Sequence, residues 1–452
     1  MLEPISLLPS NPHYFLFRGK PEILITSCEH YGAVINLDFD YIKYLDELKI
    51  CGLNATRLFT GYYHEVPGVF GIAKNTLAPA ADAYLCPWER TGIPGARDGG
   101  NKYDLDKFNE KYLNRLFDFC KASSDRGIVI ELSLFCPFYS HALNGSMWEA
   151  APFFHKNNIN GVESVDILDI HNLSHPKLLY YQESLVKKIV TFLNGFDNIY
   201  YEICNEPYFD SITYEWQRHM AALIKDAEGS LKNKHLIGIN VSNGYEVINN
   251  PDENFSVFSF HYTNSECMLA NAGLKKVVGC NETGFAGSDA TFYRRQAWEL
   301  FMSGCGTYFG LDYSFAVGYE DGSFTAMNQP GTGGREFRFQ LKALKEFLIN
   351  ADVFHMLPDN SFVRKCFLGN GRFYAMSNPG RAYAVYSYGA SWFELDLPGG
   401  TYEVEWLNPI TQKKLKANVV HSSGLMKLLP PEAIAGEGGG SGEIALSLTR
   451  KT

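Results

Sequence analysis

The sequence predicts an α/β protein, a closed (β/α)8 TIM barrel followed by a small C-terminal antiparallel β-sandwich. Three observations point there: eight short apolar runs with helix-periodic segments between them, a change of texture after residue 352, and a length of 452 residues. That length exceeds one average domain but fits a barrel of about 250 residues or more with an appendage. The expected domains are a catalytic barrel over residues 1–352 and a β-sandwich over residues 353–452.

The eight runs are residues 22–28, 55–60, 128–135, 199–204, 236–241, 257–261, 277–280 and 307–312. Most are continuously apolar rather than alternating, as parallel strands covered on both faces are. Helical periodicity marks residues 39–51, 108–126, 177–194, 214–228 and 293–303. Strand then helix, eight times, closes a barrel. A doubly wound open sheet would usually carry a glycine-rich phosphate turn after its first strand, where this chain has Glu29-His30-Tyr31-Gly32. After a helix at 337–350 come short strands broken by Gly, Pro and Asn, at 373–376, 382–388, 393–395, 402–407, 414–420 and 444–448. That is the pattern of a sandwich. The glycine-rich stretch 436–442 is too brief to set off a further domain.

Two connections are long, residues 61–102 after the second strand and residues 136–174 after the third. Loops that follow barrel strands lie over the face where barrel sites form, so both are expected to wall a substrate.

Composition narrows the function. A net charge of −10 with 20% charged residues offers no basic stripe for a phosphate backbone, so nucleic acid is not an expected partner. No run approaches about 18 apolar residues, so no membrane span is expected. The ten cysteines are scattered, without CxxC or zinc-ligand spacing, and are expected as buried free thiols with no metal. The start at Met1 shows no basic segment followed by an apolar one. A cytoplasmic location is expected if the chain is whole, and a secreted or periplasmic one if a signal peptide has been removed. No motif sets an oligomeric state.

Barrel chemistry sits where strands end. Strand four ends in Asn205-Glu206-Pro207 and strand seven in Asn281-Glu282-Thr283-Gly284. Two glutamates therefore aim at one cavity from opposite halves of the wall. Glycoside hydrolysis with retention needs two carboxyls about 5–5.5 Å apart, one protonated to assist the leaving oxygen and one ionised to attack. The plainer reading of Glu206 is a helix-start carboxylate, since Pro207 suits a first helical turn, but its place at the end of an apolar strand favours function.

These residues resemble clan A of the glycoside hydrolases, which includes the family five cellulases and mannanases. The resemblance spans the barrel, and Asn205-Glu206-Pro207 with Glu282 three strands on carries it. It implies that Glu206 is the acid/base, Glu282 the nucleophile and Asn205 a ligand of the sugar 2-hydroxyl. It further implies that Arg57 lies beneath the nucleophile, that Tyr262 holds Glu282, and that His261 faces the sugar or Glu206. Strand eight ends in Asp312-Tyr313-Ser314-Phe315 where the clan commonly carries a Trp, a departure that an outlying family would show. By position, Glu29, His30, Tyr313 and His141 are further substrate-binding candidates. The C-terminal part, with residues 382–388 and 402–409, resembles the small β domain that follows the barrel in several bacterial members, expected here to pack against the barrel, with carbohydrate binding as the alternative. Trp298, in a helical stretch, is expected in the core.

The expected function is thus a retaining glycoside hydrolase that cleaves β-linked glycosides or oligosaccharides by double displacement, with no cofactor. A transglycosylase on the same site, or a non-catalytic carbohydrate-binding barrel, are the alternatives. A metal-dependent barrel hydrolase would need clustered ligands at strand ends, and the sequence does not announce them.

Overall fold

The structure is a computed structural model that describes residues 3–140, 146–325, 334–366, 371–435 and 442–451. Eight strands form one parallel sheet: Leu24–Ile25, Ala55–Phe59, Val129–Phe135, Ile199–Cys204, Ile237–Asn243, Val257–His261, Val277–Glu282 and Thr307–Tyr308. They are numbered one to eight in that order. Strand one pairs with eight, and the sheet then runs down through the sequence to strand two. Backbone bonds draw the two edges together: Asn54 N donates to Ile25 O at 3.2 Å and His30 N to Arg57 O at 3.1 Å. The molecule is a (β/α)8 barrel with an antiparallel β-sandwich after it.

Register decides which polar side chains share a height inside this barrel. Arg57 on strand two lies opposite Glu131 on strand three, Ser133 opposite Glu202, and His261 opposite Glu282. Because side chains on neighbouring parallel strands point the same way at matched register, charges on four strands converge on one cross-section.

The helices form where capping residues and apolar periodicity coincide. Asp40, Asn109, Thr213 and Asp289 each accept a backbone N–H of the helix they precede, Tyr41–Ile50, Glu110–Asp125, Tyr214–Glu228 and Ala290–Phe301 respectively. Pro176 opens Pro176–Leu193, whose buried Leu178, Tyr181, Gln182, Leu185, Val186, Ile189, Val190 and Leu193 trace one face.

The expected eightfold alternation is incomplete. Residues 244–256, between strands five and six, hold no helix, and strands six and seven are joined by the six-residue Ser265–Ala270. Gly244, Asn249, Asn250 and Pro251 disfavour helix there. Strands one and eight are also much shorter than the apolar runs that announced them. Two further elements had no clear sequence signal. A three-stranded sheet of Ser6–Leu7, Phe15–Phe17 and Lys20–Glu22 plugs the barrel floor, with Ile5, Phe15 and Phe17 packed against Leu24, Ala55, Val129, Tyr200, Val257 and Val277 at the strand starts. Within the insertion after strand two, Trp88–Pro94 and Asn101–Phe108 pair as a hairpin, so Phe108 ends a strand rather than starting a helix. All ten cysteines are free and nine are buried.

The C-terminal part stacks a six-stranded and a three-stranded antiparallel sheet over Val385, Phe393, Leu395, Trp406 and Leu446. The other face of the larger sheet joins the barrel core through Tyr374, Met376, Ala384, Tyr386 and Leu407. Trp298 of the barrel helix Ala290–Phe301 stacks on Tyr386 at 4.8 Å. One helical turn earlier, Arg294 grips Glu443 through two bonds of 2.8 Å, and Arg295 adds a third of 2.9 Å. The Glu443 side chain is wholly buried. Removing one partner of such a group strands the others, so Glu443→Ala should destabilise the protein by about 3–5 kcal/mol in urea unfolding. The exposed pair Arg364–Asp396 is the contrast, since Asp396→Ala should hardly move the curve. A loss from Glu443→Ala no larger than that from Asp396→Ala would show that the buried cluster holds nothing together.

Candidate active site

Strands four, six and seven end together at the mouth of a cavity of about 290 Å³. Glu206 leaves strand four, His261 ends strand six and Glu282 ends strand seven. One carboxylate oxygen from each glutamate and a ring nitrogen of His261 lie within 4.8 Å of one another. His261 Nδ1 is 3.3 Å from Glu206 Oε1 and 3.4 Å from Glu282 Oε1. The imidazole therefore touches both carboxylates, not Glu206 alone.

Each glutamate has its own set of donors. Glu282 Oε1 accepts from Tyr262 OH at 2.6 Å, and Oε2 from Tyr31 OH at 2.5 Å. Arg57 Nη1 stands 3.4 Å from Glu282 Oε2 and donates to Tyr31 OH at 2.7 Å, so the guanidinium acts on Glu282 both directly and through the phenol. Glu206 Oε2 accepts from Tyr139 OH at 2.6 Å, and Oε1 from Tyr208 OH at 3.3 Å. Asn205 bridges the two halves: its Oδ1 accepts from Arg57 Nη2 at 2.8 Å and its Nδ2 donates to Tyr139 OH at 3.0 Å.

The electrostatics separate the charges. Burial would lower the pKa of His261, but the Glu282 and Glu206 carboxylates outweigh it and push the imidazole up to about 9. Burial would raise Glu282, yet the His261 cation, Arg57 and the Tyr262 hydroxyl together hold it below the ordinary carboxylate range. At neutral pH an imidazolium thus sits beside an ionised Glu282. Beneath them, Arg57 also contacts Glu29 at 3.3 Å, Glu131 at 3.1 Å and Glu202 at 2.5 Å. Burial drives Glu29 well above its usual value and raises Glu131 too, so the floor does not carry four full negative charges against one cation.

Glu29, His30 and Tyr313 line the same cavity. Glu29 Oε1 and His30 Nε2 have no hydrogen-bond partner among the described residues. His30 packs on Phe39 with ring centroids 3.9 Å apart, and burial lowers its pKa to about 3, so its ring is neutral. Tyr313, which follows strand eight, forms part of the wall. His141 lies outside the described residues.

Backbone strain gathers at this cavity. Glu206, Tyr139, Tyr262 and Phe285 line it or ligate its carboxylates, and all adopt left-handed φ of 41°, 48°, 49° and 59°. Non-glycine residues held there cost of order 1–3 kcal/mol each and persist where surrounding structure fixes them, commonly at functional sites.

Several participants had escaped the sequence. Glu131 and Glu202 could have been found: each is the lone charge in an apolar strand, and a buried carboxylate needs a partner. Tyr139, Tyr208 and Glu65 sit on loops whose path no periodicity sets. The Glu206, His261 and Glu282 cluster also offers metal-ligand atom types at strand ends, which the sequence had not announced. A metal there would have to displace the proton that His261 holds between the two carboxylates.

With the geometry in hand, comparison with known proteins places the fold. The family described as Domain of unknown function (DUF6298) matches residues 76–168, which run from the insertion after strand two into the one after strand three. No curated protein matches the sequence. Solved structures do share the architecture. One, described as a glycoside hydrolase, superposes with a TM-score of 0.66 at 14% identity, over 99% of this chain and 97% of its own. Another, a glycoside hydrolase family 5 protein from Bacteroides vulgatus ATCC 8482, gives a TM-score of 0.66 at 14% identity, over 99% of this chain and 94% of its own. The overlap covers barrel and β-sandwich alike.

Proposed function

We propose that this protein is a retaining glycoside hydrolase that acts on β-linked sugars, with Glu282 as nucleophile and Glu206 as acid/base. The observation that carries the proposal is the approach of the Glu206 and Glu282 carboxylates to within 4.8 Å, atom to atom, in one cavity. Double displacement works at carboxyl separations of about 5–5.5 Å, whereas inversion needs about 6.5–9.5 Å to admit a water. The glycoside hydrolases that share this fold support the same reading.

The division of roles follows from the donors. Glu282, beside Arg57, His261, Tyr31 and Tyr262, is the group kept ionised and attacks the anomeric carbon as the glycosidic bond breaks. Glu206 gives the departing oxygen a proton, which the imidazolium of His261, 3.3 Å away, can supply to Glu206. Water then opens the glycosyl ester at Glu282 while Glu206 takes back a proton, which restores both groups. Asn205, fixed by Arg57 and Tyr139, is suited to the sugar 2-hydroxyl. Residues 1–352 would form the catalytic unit, and the β domain from 353 onward would act chiefly by packing on it.

A panel of aryl β-glycosides with the purified protein tests the proposal. Turnover of at least one, with release of the free sugar, is expected. A folded protein inert toward the whole panel and toward β-linked oligosaccharides would count against it.

A further inference from the structure

One wall of the cavity that holds Glu206 and Glu282 comes from the insertion after strand two, and it is bolted down. A Cβ on Gly32 would meet Thr76 O at 2.3 Å, so the loop after strand one lies directly against that wall. Asn36 Nδ2 donates to Thr76 O at 3.2 Å, and Leu85 N donates to Ile35 O at 2.8 Å. Glu65 N in turn donates to Leu77 O at 2.8 Å. The Glu65 side chain is thus held in the cavity, 8% exposed, by backbone that cannot readily swing away.

Its chemistry is unusual for a loop carboxyl. Oε1 accepts from Tyr63 OH at 3.0 Å, and Oε2 accepts from Asn75 Nδ2. No Lys, Arg or His among the described residues pairs with it. Each carboxylate oxygen has a second lone-pair direction, so acceptor capacity remains. Burial pushes this carboxyl up to about 7, where it can donate as well as accept. A buried sugar hydroxyl requires such a partner, since an unpaired one costs the full desolvation penalty.

Acidic side chains outnumber basic ones around it. Glu29, Glu65, Glu206, Glu282 and Asp312 line the cavity. Among the described lining residues Lys74 is the one Lys or Arg, and it lies at the rim with its ammonium 5.3 Å from the Tyr319 ring centre. Arg57 is taken up by carboxylates below. The His261 imidazolium is likewise held between Glu206 and Glu282, so a carboxylate or sulfate on the sugar would have to compete with these carboxylates for every cation within.

We infer that Glu65 determines specificity: with Tyr63 and Asn75 it forms a hydroxyl-binding corner that admits a terminal, uncharged sugar and turns uronic acids away. The inference rests on the glycosidase reading and narrows it to a substrate class. A cavity at the small end of the roughly 300–1,000 Å³ range of ligand sites suits one terminal ring.

The test compares the wild-type protein, Glu65→Ala and Glu65→Gln on aryl β-glycosides of neutral sugars, of glucosamine and of glucuronic acid. The wild type should turn over a neutral glycoside and leave the glucuronide untouched. Glu65→Ala should lower kcat/KM on the neutral substrate by roughly 10- to 100-fold, the loss of a charged hydrogen bond, and both variants should raise the glucuronide-to-neutral ratio. Glu65→Gln, nearly isosteric, carries the test alone if Glu65→Ala does not fold. Variants with wild-type ratios across the panel would assign Glu65 to holding the loop and overturn the inference while the glycosidase reading stands. A wild type that prefers the glucuronide, or the glucosaminide above every neutral glycoside, overturns it too. A wild type inert to all substrates removes the reading on which it rests.

Discussion

Replacing Glu282 by glutamine is expected to reduce turnover of any β-glycoside by on the order of 10⁶-fold, the scale seen when a covalent enzyme loses its nucleophile. An amide cannot form the glycosyl ester, and no second carboxylate can substitute, because Glu206 lies on the leaving-group side of the proposed mechanism. The variant should fold, since Gln keeps the shape that Tyr31 and Tyr262 contact. It also changes a second observable. Glu282 supplies the largest upward push on His261, so removing its charge should bring the imidazole pKa down from about 9, visible in an NMR titration. Wild-type turnover in the variant would contradict the nucleophile assignment. An unmoved His261 titration would contradict the electrostatic account of the site.

Glu206→Ala should show a loss that depends on the leaving group. With a poor leaving group, which needs a proton as it departs, kcat/KM should fall by about 10²–10⁴-fold, the usual worth of general acid catalysis. With an activated aryl group the first step needs little help, so a rapid burst of phenol should precede slow release of the sugar, because water now lacks its base. Azide, which attacks without deprotonation and fits the space the carboxylate leaves, should restore turnover and give a glycosyl azide. Equal losses on every leaving group, without response to azide, would remove Glu206 from the acid/base role.

The barrel was legible because it follows from periodicity: strands four and six were bounded in the sequence as they stand in the structure, and Tyr214–Glu228 likewise. Strands one and eight were overestimated, since an apolar run reports burial and not the ladder length. The plug sheet before strand one was missed because strands of two and three residues carry too little pattern. The same division holds at the cavity. Glu206 and Glu282, at the ends of their strands, could be expected at one cavity because the barrel aims every strand at one face, whereas Arg57, His261 and Tyr262 were singled out by the resemblance to clan A. Tyr139, Tyr208 and Glu65 reach that face on loops, where conformation is set by tertiary contacts such as the close approach at Gly32. The Arg57 cluster lay between these cases, visible as lone charges in apolar strands but unpaired until register joined them.

The configuration of the first sugar released from a β-glycoside tests the central claim most directly. In the proposed mechanism, carboxylates as close as those of Glu206 and Glu282 act by two successive displacements at one carbon. Proton NMR during the first minutes of reaction should therefore show the β-anomer, with the α-anomer growing only as mutarotation proceeds. Initial appearance of the α-anomer would mean a single displacement by water, and would contradict the account.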